Sequence, residues 1–339
     1  PLINRQTSPL LEKTWRKIAR IQARKSSQLA AKTNDHGGGL DAAALQYGGT
    51  RSDWIDLSTG INPLPYSAGP IAPNAWTALP DHAAATGLID AARTFWNVPE
   101  GAAILAAPGA SSLIAKMPAL APVGAVSITG PTYNEHASAF NLAGWSTDGT
   151  PSAQVAVHPN NPDGRLWSVD EINAQLRIID ESFCDVTPDQ SLIQEATKSG
   201  TIVLKSFGKF WGLAGLRLGF AIGDPVLIEQ LKNMLGPWPV SGPALQIGAQ
   251  ALRDHQWAAE TRTRLDRDAN KLDQIMTAKG AQVVGGTTLF RLYDVGDAAA
   301  WQDRLAHSHI WSRIFPYNSR WLRLGLPHPM DWARVEDAV

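Results

Sequence analysis

A single cysteine, Cys184, stands among 339 residues, so no disulfide can form within the chain. Net charge is nearly absent as well. Thirty basic residues against thirty-one acidic ones leave −1, too little for a global field to recruit nucleic acid or an anionic membrane. Long apolar runs are missing, and none approaches the roughly 20 residues that span a bilayer. The eight histidines show no ligand spacing around Cys184, so no metal is expected. These absences leave a cytoplasmic protein that acts on a small molecule as the expectation.

What is present is apolar and evenly spread. With 44% hydrophobic and 18% charged residues, the chain can bury one large core and a smaller second one. Residues 1–35 differ from the rest: Lys13, Arg16, Lys17, Arg20, Arg24 and Lys25 alternate with Leu11, Trp15, Ile18 and Ile21 at the spacing of a basic amphipathic helix. This arm has no long apolar stretch, so it does not read as a secretory signal. Farther along, "GAVSITG", "AQVAV", "LRIID" and "GTIVL" alternate with polar segments punctuated by Gly and Pro. That rhythm predicts an α/β domain with a mainly parallel sheet over residues 81–250. Residues 36–80 read as a segment feeding both a small domain and the active site. Residues 251–339 read as the small α+β domain, with a helix from about Leu265 and strands in "AQVVGG", "TLFRLYDV" and "WLRLGL".

The most informative string is "GTIVLKSFGKFWGLAGLRLGF", residues 200–220. An apolar strand runs into a glycine-loosened loop, which carries Lys209 toward a cleft at the carboxyl edge of a sheet. Ser206 and Arg217 flank the lysine, a hydroxyl and a planar cation suited to gripping one phosphate. Taken alone, such a lysine is more often solvated. The whole string resembles the cofactor-lysine signature of fold type I pyridoxal-phosphate enzymes, the aspartate aminotransferase superfamily. The resemblance implies a large domain with a mainly parallel seven-stranded sheet between helices, plus a smaller α+β domain. It also implies pyridoxal 5'-phosphate as cofactor, Lys209 as its Schiff-base lysine, and Ser206 and Arg217 as phosphate ligands.

Other stretches match the same family. In "PGASSLI", Gly109, Ala110 and Ser111 correspond to its phosphate cup, and in "GPTYNEHA", Tyr133 corresponds to the aromatic stacked on the cofactor ring. Asn161 of "HPNNPDGR" resembles the donor to the cofactor's phenolic oxygen. Asp180 of "RIIDESFCD" matches the carboxylate facing the ring nitrogen, which makes the cofactor an electron sink. Three positions depart from the family pattern. Phe183 stands where many members have tyrosine, Gly208 where many have Ser or Thr, and Gly60 where some have a substrate-contacting asparagine. Between Asn161 and Asp180 the chain has room for a very short helix or none.

"HGGGLDAAALQYGG" and "WIDLSTGINPLPY" narrow the likeness. They resemble the amino-terminal part of the L-threonine-O-3-phosphate decarboxylases of the cobalamin pathway, with histidinol-phosphate aminotransferases as cousins. This implies a phosphorylated amino-acid substrate and a homodimer. The substrate contacts it implies are His36, Asn62, Arg313 and, for the α-carboxylate, Arg323. Alternation in "RWLRLGL" puts Arg323 on one face with Trp321 and Gly325, and a buried arginine needs an anion. Whichever bond at Cα stands perpendicular to the cofactor ring breaks, and sequence does not fix that torsion. Decarboxylation, transamination of a phosphorylated amino acid or amine, and a weakly active cofactor-binding partner protein therefore remain three distinct readings.

Overall fold

The computed structural model describes residues 37–339; the basic arm and His36 lie outside the described residues. A two-residue strand, β1 (Ile55–Asp56), opens the described sheets. The central sheet follows: β2 (Ala103–Ala107), β3 (Val126–Ile128), β4 (Ala153–Val157), β5 (Leu176–Asp180), β6 (Thr201–Ser206) and β7 (Gly219–Gly223), in the order β2-β7-β6-β5-β4-β3. Strands β3 to β6 pair in parallel, and β7 runs antiparallel to both of its neighbours. Adjacent residues of β5 face opposite cores. Ile178 packs with Leu113, Phe140 and Leu204, whereas Ile179 packs with Leu88, Val203 and Phe220. Both faces are thus covered, as a parallel sheet requires.

The expectation of seven strands is corrected to six among the described residues. Beyond β3 the place of a further strand is reduced to one parallel bridge, Ala125 to Ser146. The physical reason lies in "STDGTPS", residues 146–152, whose Gly, Pro and small polar residues favour turns over a ladder. Between Asn161 and Asp180 the crossover holds only the 3-10 turn Val169–Glu171, closed by a capping box in which Ser168 N donates to Glu171 Oε2 at 2.9 Å.

A long helix, His255–Ala278, leads into the carboxyl-terminal region. It starts earlier than the sequence suggested, because Asp254 caps Trp257 N at 2.9 Å and "HQWAAETRTR" is too polar to show a strong apolar period. Its buried stripe runs Ala258, Thr261, Leu265, Ala269, Leu272 and Met276. Then come β8 (Gln282–Thr287), β9 (Phe290–Asp294), β10 (Ile310–Trp311), β11 (Arg313–Phe315) and β12 (Asn318–Gly325). Four of these form an antiparallel sheet in the order β11-β12-β9-β8, while β10 pairs in parallel with β1. Ile55 lies opposite Ile310 and Asp56 opposite Trp311, which carries the segment around residue 58 beside β12. Among the described residues, no helix is long and apolar enough to cross a membrane.

Candidate active site

After β6, the fully buried Phe207, Phe210 and Trp211 pull the chain into the core on both sides of Lys209. The loop closes on itself, with Gly212 N donating to Lys209 O at 3.1 Å and Leu213 N to Phe207 O at 3.1 Å. Lys209 is left half-buried at the cavity wall, its Nζ 5.1 Å from the centre of the Phe183 ring. Burial, with Arg323 nearby, pulls its pKa down to about 8. A lysine shifted in this direction offers a neutral amine at modestly basic pH, as a nucleophile toward an aldehyde requires.

Asp180 ends β5 at the same edge and is buried. Burial alone would raise its pKa, but hydrogen bonds and charge from His136 and Ser182 outweigh it and hold the carboxyl below its ordinary value. His136 Nε2 lies 2.8 Å from Oδ2, and Ser182 donates to Oδ1 from its N at 3.0 Å and its Oγ at 2.5 Å. Sequence reasoning missed both partners. The signals were present: His136 sits one turn past Tyr133 on the helix Asn134–Leu142, and Asp-x-Ser is an Asx-turn pattern. Tyr133 itself is a neutral wall, its phenol pushed up to about 12 by burial and by nearby Glu135 and Asp180.

The same cavity is lined by Ser111, Ser206 and Arg217. Gly109 has φ of +84°, and a Cβ there would lie 2.5 Å from Arg217 Nη2, so only glycine lets the guanidinium close over this turn. Arg217 donates to Ala214 O and to Ser111 Oγ, each at 3.2 Å. Ala110, Ser111, Tyr133, Asn161, Asp180, Ser206, Lys209 and Arg217 all line one cavity of about 230 Å³; Gly109 stands just behind Arg217. A cation with hydroxyls beside it, a buried carboxylate and an amine on one cavity fit the donors that pyridoxal phosphate needs. Ser206, Lys209 and Arg217 would hold its phosphate and aldehyde carbon, and Asp180 its ring nitrogen.

Arg323 enters from β12 and is 5% exposed. Its Nη1 donates to Asn161 Oδ1 and its Nη2 to Ser58 O, while Nε has no partner among the described residues. Burial, followed by Arg313, lowers its pKa to about 10. Arg313 on β11 is its direct cross-strand partner, so the two guanidinium groups share one face of the sheet. Alternation along β12 separates a buried face from an open one only in part, because Leu322 and Leu324 are buried too; the end of β12 is covered on both sides.

Asn62 is not brought to the cavity. Its Nδ2 donates to Phe210 O at 2.8 Å and its Oδ1 accepts from Leu64 N at 3.1 Å and Arg264 Nη2 at 2.6 Å, while its N donates to Lys209 O at 3.0 Å. Its side chain therefore braces the Lys209 loop. Gly60 has no room for an asparagine, since a Cβ would lie 2.8 Å from Phe290 and 2.9 Å from Phe183. Ser58 went unnoticed in the sequence; besides receiving Arg323, it donates through Oγ to Asp56 at 2.6 Å and accepts Gly38 N at 2.6 Å.

The fold also brings His158, Glu181 and Cys184 together, their ligand atoms within 4.8 Å of one another, which spacing along the chain did not reveal. Each has another occupation. His158 accepts Trp167 N at 3.0 Å and faces Gln190 O at 2.7 Å, Glu181 binds Lys205 Nζ at 2.5 Å, and burial pushes the Cys184 thiol up. A cation there would have to displace the Lys205 ammonium.

Comparison with known proteins places this geometry. A family model for class I and II aminotransferases matches residues 150–339. A threonine-phosphate decarboxylase from a Sinorhizobium species is 39% identical over 325 residues, 90% of this chain and 97% of that protein. Two solved structures share the fold. One is histidinol-phosphate aminotransferase from Sinorhizobium meliloti in complex with pyridoxal-5'-phosphate, with a TM-score of 0.72 and 18% identity over 89% of this chain and 93% of that one. The other is L-threonine-O-3-phosphate decarboxylase from Porphyromonas gingivalis, with a TM-score of 0.66 and 18% identity over 83% and 97%.

Proposed function

The chain belongs to the class I and II aminotransferase family and, within it, to the threonine-phosphate decarboxylases, and on that premise we infer that it converts L-threonine O-3-phosphate to 1-aminopropan-2-yl phosphate and CO2. It is a pyridoxal-phosphate enzyme acting on a small molecule. The observation that carries the substrate reading is the cross-strand pair Arg313 and Arg323, the second of which reaches the cavity through its hydrogen bond to Asn161. Two cations on one face suit a ligand with two anions. Arg323 takes the α-carboxylate, with which a guanidinium forms paired hydrogen bonds, and Arg313 takes the substrate phosphate.

When bound, pyridoxal phosphate supplies an electron sink for the pair released as the Cα–carboxylate bond breaks. Asp180, kept ionised by His136 and Ser182, would hold a proton on the ring nitrogen. Arg323 and Arg313 fix the substrate at both ends and so set its rotation about the bond at Cα. Lys209, at the cavity wall, would deliver a proton to Cα in place of the departing carboxylate, so that the product would be the amine. Phe183 and Phe290 line this side with rings that exclude water from Lys209 and Arg323.

We also propose a cytoplasmic homodimer. Trp76, Leu79 and Trp238 are exposed beside grooves formed by residues 74–87 and 236–253, and β2 has an open edge, features that a second copy would cover. Incubation of the holoenzyme with O-phosphothreonine is expected to release CO2 and the amine in equal amounts; formation of a 2-oxo acid dependent on an amino acceptor would instead establish transamination. Arg313→Ala should lower the ratio of kcat/KM for phosphothreonine over threonine on the order of 10- to 100-fold. An unchanged ratio would remove Arg313 from the phosphate site.

A further inference from the structure

The loop that carries Asn161 meets strand β8 backbone to backbone, with no side chain between them. Gly286 N donates to Asp163 O at 2.8 Å. A Cβ on Gly164 would lie 2.0 Å from Gly286 O, and one on Gly285 would lie 2.1 Å from Asp163 O. Gly164 and Gly286 have φ of +75° and +126°, whereas Gly285 is not left-handed, so there the close approach alone excludes a side chain. The register of β8 shifts between Val283 and Gly285, an irregularity that brings this stretch against the loop.

Movement at this contact reaches the site along a short path. Asn160 donates to Asp163 Oδ1 at 2.8 Å and to Pro131 O at 3.0 Å, and accepts from Thr132 Oγ1 at 2.6 Å, next to Tyr133. Asn161 accepts Arg323 Nη1. We propose that the interlock of Gly164, Gly285 and Gly286 is a positioning element that seats Asn161 and Arg323 for the substrate carboxylate, while the grip of Arg217 and Ser111 on the cofactor phosphate is set independently. The inference rests on the reading of Arg323 as the carboxylate ligand.

The holoenzyme Gly285→Ala puts a methyl group against Asp163 O while leaving the strand conformation allowed. Its KM for L-threonine O-3-phosphate is expected to rise on the order of 10- to 100-fold. The inhibition constant of 1-aminopropan-2-yl phosphate, which keeps the amine and phosphate but lacks the carboxylate, should stay nearly unchanged, as should cofactor content after dialysis. An unaltered KM, or equal weakening of both ligands, overturns the proposal. If Gly285→Ala does not fold, Asp163→Ala decides. It keeps the bond from Gly286 N to Asp163 O but cuts the path from the interlock to Asn161, removing the bonds from Asn160 Nδ2 and from Arg165 N at 3.0 Å without adding bulk, and should give the same split at about 10-fold. Loss of that split overturns the proposal equally. Arg323→Ala separates the two ideas: if it fails to discriminate the two ligands, the carboxylate reading itself falls, and if it discriminates while neither interlock variant does, only the interlock falls.

Discussion

Two arginines end on the same active site in opposite states. Arg217 is exposed and held by Ala214 O and Ser111 Oγ over a glycine turn. Arg323 is buried, clipped between Asn161 and Ser58, with Nε unpartnered among the described residues and its pKa drawn down to about 10. Arg217 keeps much of its hydration and suits a resident anion that stays through every turnover. Arg323 bears a desolvation penalty that its two neutral acceptors and nearby Asp56 offset only in part, and which an arriving carboxylate would relieve. On the proposed assignment, the contrast teaches that burial, rather than residue type, separates the cofactor ligand from the substrate ligand.

The largest expected effect falls between the two arginines. Lys209→Ala should lower turnover by ~10⁴-fold, because both the covalent link and the proton donor are lost, while Arg217 still retains pyridoxal phosphate. The check is steady-state rate together with loss of the bound cofactor's absorbance band; substantial turnover would contradict the assigned role. Next comes the direct comparison. Arg323→Ala should reduce kcat/KM for every amino-acid substrate by roughly 10- to 100-fold with cofactor content unchanged. Arg217→Ala should do the reverse, weakening cofactor affinity by about 10-fold and sparing KM when pyridoxal phosphate is saturating. If the two variants behave alike, the division of labour is wrong.

The smallest effect concerns pH. Lys209 has a folded pKa near 8, below its ordinary value, so between the two the folded apoprotein binds fewer protons than the unfolded chain. Apoprotein stability should therefore climb as pH rises from about 8 toward the ordinary lysine value of about 10.4, and Lys209→Met should flatten that slope in denaturant titrations. Cofactor capture by the apoprotein should likewise speed up through about pH 8 and then level off. A capture rate independent of pH across this range would show that burial and the neighbouring Arg323 do not depress the amine.

Much of the site is legible in local strings, because each piece sits at or next to a strand end. Asp180 closes β5, Lys209 follows β6, and Arg217 precedes β7, so strand prediction alone carries them to one edge. Asn62 misleads for the same reason: an Asn-Pro turn looks alike whether its amide faces a ligand or the Lys209 loop. His136 and Ser58 escaped notice because their importance lies in Asp180 and Arg323, partners far away in sequence.

The sequence by itself determined which strand ends and turns present Asp180, Lys209 and Arg217, and which backbone states they need, since strand, turn and left-handed glycine are local properties of a few successive residues. Only the tertiary structure decided what those residues are worth. The amine near pH 8, the ionised Asp180 and the facing of Arg313 and Arg323 arise from desolvation and from charges supplied by distant segments. Electrostatic energy in a low-dielectric interior depends on distance through space, and no spacing along the chain records that.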